Sequence, residues 1–343
     1  MKNISYLAPE YYQQFSCKLD KCRHTCCYGW KIPISHSEYN KLITMDCSDE
    51  LNQKVQRTFI IPDVVSEECY RYIAFNYLGY CPIQNNGLCS LHKEKGEDYL
   101  PKVCKLYPRS LKTINDVNIA SCSNSCEAVV ELLFDADNLN IKETALNEEP
   151  NITYNVTEQD VEQIKLLNNI LKDRTTSLVQ SLKDICSIIN KDEFEKDYAS
   201  NVEPLSIAIQ ILKKLSFDND KLNELTLYLE ERYKDKETYI NDQQSFEQAY
   251  PSWMELFERL INNSMIYECF PFVDKRIDKT NSYEGLCLCY GLLRVICIGT
   301  YSKTKIKEDL IDNISLLFHL IDHTAFYYNA YVICENAAIM LKL

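Results

Sequence analysis

The sequence predicts a mainly α-helical protein: an irregular, cysteine-rich N-terminal region, residues 1–150, followed by a helical C-terminal domain, residues 151–343. Three observations predict it. Eleven of the 17 cysteines lie within the first 126 residues, set among Gly, Pro and Asn. Beyond Thr157 the apolar residues recur near helical spacing. Between these regions, Asn147-Glu148-Glu149-Pro150-Asn151 is a polar, proline-bearing stretch of the kind that joins domains. A chain of 343 residues also exceeds the usual size of a single core.

The N-terminal region carries three groups of cysteines. The first is Cys17-x4-Cys22-x3-Cys26-Cys27, followed by Tyr28-Gly29-Trp30. The second runs from Cys81-Pro82 through Gly87-Leu88-Cys89 and His92 to Leu100-Pro101, Cys104 and Tyr107-Pro108-Arg109, and Cys122-x3-Cys126 is the third. The opening residues hold no apolar stretch long enough for a signal peptide, and no run of ~18 apolar residues lacks a charge. The expected location is therefore the cytoplasm, where disulfide frameworks are rare and thiols serve metal ligation, redox chemistry or burial. Thiolates three to five positions apart can converge on one centre, and such sites select zinc or iron–sulfur clusters. Spacing does not separate the two metals. A metal-binding region of loops is a more natural reading here than a large hydrophobic core, because ligation completes small domains with weak cores. The candidate ligands are Cys17, Cys22, Cys26, Cys27, Cys81, Cys89, Cys104 and Cys126, of which adjacent Cys26 and Cys27 point apart in most backbone conformations. His24 and His92 are possible substitutes for a thiolate.

The helical elements follow in order. Thr157 and Asp160 form a candidate capping box, after which Val161, Ile164, Leu167, Leu171 and Leu178 lie on one face. Further helices are expected over Leu205–Leu215, Leu222–Tyr233, Trp253–Ile261 and Ile311–Tyr328. Residues 286–300 are apolar almost throughout and suit a buried helix, which makes burial the better reading of Cys287 and Cys289. His36, His319 and His323 carry no distinguishing context.

Composition excludes some functions. With 25% charged residues and a net charge of −13, the chain lacks the clustered Lys and Arg that grip nucleic acid. An acidic surface favours cationic partners such as lysine-bearing protein segments. The seven glycines, at 29, 79, 87, 96, 285, 291 and 299, form no Gly-x-Gly loop, so a doubly wound nucleotide-binding sheet is not expected.

The string Pro9-Glu10-Tyr11, Phe15-x-Cys17-x4-Cys22-x3-Cys26-Cys27-x2-Trp30-x-Ile32, then Cys81-Pro82, Gly87-Leu88-Cys89, Gly96, Leu100-Pro101-x2-Cys104 and Tyr107-Pro108-Arg109 resembles the flagellin lysine N-methylase family, within the broader group of cysteine-rich zinc- or iron-chelating domains. The resemblance covers residues 9 to about 132, and departs from the family at Glu127, where proline is usual. It implies S-adenosylmethionine as methyl donor, lysine ε-amines of flagellin as acceptor, and an iron–sulfur cluster, 4Fe-4S in preference to zinc, in the cysteine-rich region. Radical enzymes that use this donor often carry Cys-x3-Cys-x2-Cys; Cys22 and Cys26 supply the first step, but position 29 is glycine.

Such chemistry sets its own demands. A lysine amine must lose its proton before it attacks, which at pH 7 costs about 4.6 kcal/mol. The expected acceptor channel is locally apolar or aromatic with a base at its end, and the chain has 24 tyrosines from which to build one. The sequence names no base. Arg109 is the candidate for the donor's carboxylate, because guanidinium binds carboxylates through paired hydrogen bonds. The alternative is a non-catalytic, zinc-stabilised protein-binding module, colourless and indifferent to S-adenosylmethionine.

Overall fold

In the computed structural model, the first strand, β1 (Ile4–Pro9), pairs with none of its neighbours in sequence. Its partners come from a later segment containing the hairpin β2 (Arg109–Ile114) and β3 (Val117–Cys122), then β4 (Ile141–Leu146) and β5 (Ile152–Tyr154). The five form one sheet in the order β5-β2-β3-β1-β4. β1 runs parallel to β3, with Leu7 opposite Ile119, and antiparallel to β4, from Ile4 opposite Leu146 to Pro9 opposite Ile141. The β2–β3 hairpin turns through two residues, and Asn115 takes the positive φ of 52° that such a turn requires. Residues 3–85, 87–189, 203–216, 219–272, 278–334 and 337–343 are described.

Two compact units result: an inserted unit, Ser16–Tyr107, and a host unit made of the chain up to Phe15 together with Pro108–Leu343. The change in composition near residue 150 does not coincide with this division. Asn147–Asn151 joins β4 to β5 inside the host unit, because β5 pairs with β2.

The helical expectation is met along the host unit. Thr157 and Asp160 close a capping box on Glu158–Lys172, whose Leu167 and Leu171 are buried. That helix ends before Asp173, so Leu178 opens the next one, Leu178–Ile189. Helices follow at Pro204–Leu215, Asp220–Arg232, Lys236–Ala249, Trp253–Glu268 and Lys279–Thr304. The stretch expected as one helix over Ile311–Tyr328 is two, Lys307–Asp322 and Phe326–Ile333, divided at His323.

Lys279–Thr304 is the axis of the host core. Almost every side chain from Ser282 to Thr300 is buried, including Cys287 and Cys289. It is long and apolar enough to cross a membrane by length and composition alone, but 89% of its most apolar stretch is buried inside the protein, as in a helix enclosed on all sides. Its glycines permit close approach. A Cβ on Gly285 would lie 2.3 Å from the Tyr327 ring, and one on Gly291 2.6 Å from Met340 Cβ.

The inserted unit is less regular. Ile32–Ile34, Arg71–Ile73 and Phe59–Ile60 form a small antiparallel sheet, and Gln84–Asn85 pairs with Leu88–Cys89. Ile32, Ile34, Leu42, Leu51, Val55, Ile73, Cys81, Ile83 and Leu91 make up its small buried core.

Candidate functional site

Backbone pairing gathers the thiols of the inserted unit. Cys81 N–H donates to the Cys27 carbonyl at 2.9 Å, Tyr28 bridges to Tyr80, and Gly29 N–H donates to Gly79 O at 3.0 Å. These bonds zip residues 27–29 onto 79–81 and set Cys27 beside Cys81. The Cys27 N–H is held by Thr25 Oγ1 at 3.1 Å, and Trp30 Nε1 donates to the Cys26 carbonyl at 2.7 Å. Cys27, Cys89 and Cys104 pack against the core that contains Cys81.

The electrostatics show the same convergence. Burial pushes the Cys81 thiol up to about 12, reinforced by Cys27 and Cys89. Cys104 rises well above the ordinary range through burial, then Cys27, Cys89 and Cys81. Cys89 is raised by burial and by Cys27. Cys26 exposes surface, yet its thiol is crowded; its hydrogen bond to Cys27 is the main cause of its rise, and that same bond lowers Cys27 to about 7. Apart from Cys27, which the bond from Cys26 favours as thiolate, these sulfurs suppress one another's ionisation, a repulsion that a bound cation reverses.

Backbone N–H groups also point at sulfur, from Ile83 and Gln84 to Cys81 and from Leu91 and His92 to Cys89. Such bonds tune thiolate-ligated clusters. Soft donors with hydrogen-bonded sulfurs therefore fit zinc or an iron–sulfur group chemically, although among the described residues no three His, Cys, Asp or Glu side chains stand in a metal-holding arrangement. Cys17, exposed, acts electrostatically on Cys26, and half-buried Cys22 follows the short turn Leu19–Lys21. His92 contributes its backbone to Cys89, and His24 is half-buried. Cys126 and Arg109 belong to the host unit. Arg109, at the start of β2, lies over the Phe15 ring at 4.8 Å and the Tyr12 ring at 5.9 Å, and donates to the Phe15 carbonyl at 3.4 Å.

A second constellation lies wholly in the host unit. Lys112 of β2 is buried, and desolvation lowers its pKa against the opposing influence of Glu268, Cys269 and Asp322. Glu268 is the last residue of Trp253–Glu268, which closes with Cys269 in the left-handed conformation. Asp322 is the last residue of Lys307–Asp322. A carboxylate at a helix C-terminus meets the negative end of the helix dipole, a placement that disfavours its charge. Desolvation adds to this: it raises Glu268 to about 7, only partly offset by Lys112. Asp322 is raised well above the ordinary range by burial and by Glu268.

Asp322 Oδ2 accepts a hydrogen bond from Ser123 Oγ, whose oxygen lies 2.5 Å from Ser125 Oγ, which in turn lies 2.9 Å from His323 Nε2. Burial and neighbouring His319 push His323 down to about 3. The Lys112 ammonium lies 5.0 Å from the centre of the Tyr267 ring, and Tyr267 is hydrogen-bonded to Ser123. Glu268, Asp322 and His323 are surrounded by protein, yet each residue keeps some exposed surface. With Lys112 they form a desolvated cluster of titratable groups.

The sequence did not single out this cluster. Lys112, Glu268 and Asp322 are far apart in the chain, and His323 carried no distinguishing context there; two acidic residues ending apolar helices were the only available signal. The cluster holds two carboxyl groups next to an amine in water-poor surroundings, and Glu268, at about 7, can take up or release a proton near neutral pH.

A family model described as the FliB lysine N-methylase C-terminal domain matches residues 114–336. That span contains Ser123, Ser125, Glu268, Asp322 and His323, whereas the inserted unit lies before it. Two curated proteins, each called lysine-N-methylase, from Salmonella typhimurium strain LT2 and Salmonella choleraesuis strain SC-B67, are each 25% identical over 255 residues, covering 68% of this chain. The match spans 62% of the length of each relative. No solved structure matches the chain.

Proposed function

The chain belongs to the FliB lysine N-methylase family, and from that premise we propose that it transfers methyl groups from S-adenosylmethionine to lysine ε-amines of a protein, flagellin, in the cytoplasm. The single observation that carries this reading is the match of residues 114–336 to the lysine N-methylase domain, a span that holds Glu268 and Asp322 of the desolvated cluster around Lys112. The acceptor lysine must give up a proton at a cost of about 4.6 kcal/mol at pH 7. Desolvated surroundings disfavour the ammonium form, and a carboxylate with a raised proton affinity can accept what it releases.

Arg109 is proposed to receive the carboxylate of the donor. Its guanidinium is pre-positioned by stacking on Phe15 and Tyr12. Cys27, Cys81, Cys89 and Cys104 are the residues that would hold an iron–sulfur cluster, with Cys17, Cys22 and Cys26 flanking them. When bound, the cluster would supply redox-active iron.

The test is transfer of isotope-labelled methyl from S-adenosylmethionine to recombinant flagellin by protein purified without oxygen, read by mass spectrometry of lysine peptides. Iron, acid-labile sulfide and zinc are measured on the same sample. Methylated lysines with iron and sulfide are expected. One zinc, no sulfide and no methyl transfer would overturn the reading in favour of a metal-stapled binding protein.

A further inference from the structure

We propose that the loop formed by residues 60–65 of the inserted unit, rimmed by the carboxylates of Asp63, Glu67 and Glu68, is a docking surface for a lysine-bearing, partly apolar segment of the acceptor protein. The inference rests on the lysine-methylation reading above and adds to it the place where the protein substrate is gripped. It turns on what this loop holds out into water.

Four aliphatic side chains of the loop face solvent: Ile60 is 48% exposed, Ile61 70%, Val64 80% and Val65 51%. Scattered apolar residues are ordinary on a protein surface, but four of them within one short loop make a patch of the kind that marks a contact site. None of the four belongs to the buried core of the unit. Nor is the loop slack chain. Pro62 is buried at its centre. On one side Phe59 and Ile60 pair with Ile73 and Tyr72. On the other, Ser66 N–H donates to Cys69 O at 3.2 Å, Cys69 N–H to Ser66 Oγ at 2.9 Å, His36 N–H to Glu67 O at 2.9 Å and Tyr70 N–H to Ile34 O at 2.8 Å. Backbone bonds thus fix both ends and hold the aliphatic side chains outward.

Charge selects the occupant. From Thr58 to Tyr70 the chain has three carboxylates, Asp63, Glu67 and Glu68, all exposed, and no Lys or Arg. His36 Nδ1 lies 3.5 Å from Glu67. Of the two guanidinium groups that bound the stretch, Arg57 is exposed, and Arg71 is drawn onto the Tyr70 ring at 3.9 Å and donates to the Tyr70 carbonyl at 2.7 Å. An apolar patch rimmed by carboxylates fits a partner whose apolar side chains are flanked by amines, which is what a protein offering lysines for methylation brings. A second copy of this chain would set the same carboxylates against one another in an isologous contact, and an anionic lipid surface would repel them. The grip is through side chains: Phe59–Ile60 is an outer strand of its sheet, but Pro62 has no N–H with which to extend a ladder.

The strand that closes the loop, Arg71–Ile73, leads on to residues 79–81, which pair with 27–29 at the thiols. A segment seated on the loop is therefore held by the same small unit that carries Cys27 and Cys81.

Two variants of the full chain, purified without oxygen, test this: Ile61→Ser with Val64→Ser and Val65→Ser, and Asp63→Asn with Glu68→Gln. Binding to immobilised recombinant flagellin is measured by biolayer interferometry, and kcat, KM, iron and sulfide are measured on the same samples. The apolar variant is expected to weaken binding about 10-fold or more and to raise KM for flagellin alike, while kcat, KM for S-adenosylmethionine and metal content stay as in wild type. The charge variant is expected to bind about 3-fold less tightly at low salt and to lose most of the weakening that wild type shows as salt rises from about 50 to about 300 mM. A folded apolar variant with wild-type affinity, beside an active wild type, overturns the docking surface and leaves the methylase reading standing. A wild type that binds flagellin through the loop yet methylates nothing overturns the methylase reading and leaves the surface. A wild type that does neither overturns both. If the apolar variant proves unfolded by circular dichroism, wild-type affinity and salt dependence in the charge variant overturn the surface instead. A wild type that sediments as a dimer, with a monomeric apolar variant, gives the loop to a second copy and overturns the proposal too.

Discussion

The phenol of Tyr11 donates to Asn263 Oδ1 at 2.5 Å, joining residues 252 positions apart. The same amide donates from Nδ2 to Cys122 O at 2.9 Å and to Asn124 Oδ1 at 2.7 Å, and the Tyr11 hydroxyl accepts from Cys122 N–H at 3.1 Å. Asn124 Nδ2 donates in turn to Leu260 O at 2.8 Å. This buried network fastens residues 122–124 to the Trp253–Glu268 helix and so fixes where Ser123 stands relative to the end of that helix. Asn263→Leu leaves several enclosed polar groups without partners. A loss of roughly 3 kcal/mol in urea unfolding is expected, since each stranded group costs ~1–3 kcal/mol.

The pH dependence of stability follows from Glu268. Its folded pKa, about 7, lies above the ordinary value of 4.5. The folded state therefore holds the proton more tightly than the unfolded chain. Stability from this source is complete below about pH 4.5 and is lost as pH rises through 7, amounting to about 3 kcal/mol. Urea midpoints measured between pH 4.5 and 8 should fall more steeply for wild type than for E268Q; equal slopes would show that Glu268 titrates normally.

Gly285→Ala should destabilise the host unit by roughly 2 kcal/mol, because the new methyl meets the Tyr327 ring and two packed helices must separate. Thermal melting checks this. An unchanged melting temperature would mean that Tyr327 is free to rotate away.

Metal content separates the roles of the cysteines. Cys27→Ala or Cys104→Ala should abolish bound iron and sulfide in anaerobically purified protein, because each removes a sulfur from the converging set. Cys287→Ala, deep in Lys279–Thr304, should leave the stoichiometry unchanged. Full metal in both of the first two variants would place the cluster elsewhere.

Much of the helical architecture was legible because its signals are local. The Thr157–Asp160 box and the unbroken apolar run at 286–300 each announce themselves within a few residues. The five-stranded sheet was not, since β1 finds its partners only after the whole inserted unit and its short run ends in proline. The thiol cluster was half legible: residue types and spacing marked the participants, but the pairing of residues 27–29 with 79–81 depends on long-range backbone bonds. The buried cluster of Lys112, Glu268 and Asp322 was illegible for a different reason. Its chemistry comes from desolvation, and what desolvates Glu268 and Asp322 is the packing of helices whose ends carry no motif.

The interrupted connectivity of the host unit bears on how the protein is made. β1 emerges from the ribosome early, but β3 and β4, which flank it, follow only after the entire Ser16–Tyr107 segment. At ~5–20 residues per second that interval is on the order of ten seconds. Throughout it both edges of the nascent strand stay unpaired, and the thiol-rich unit is fully synthesised before either partner strand. Translation order thus places assembly of the sulfur-bearing unit ahead of closure of the sheet that carries Lys112. A chain stalled in between would display an open strand edge to its neighbours, the feature through which nascent chains most readily aggregate.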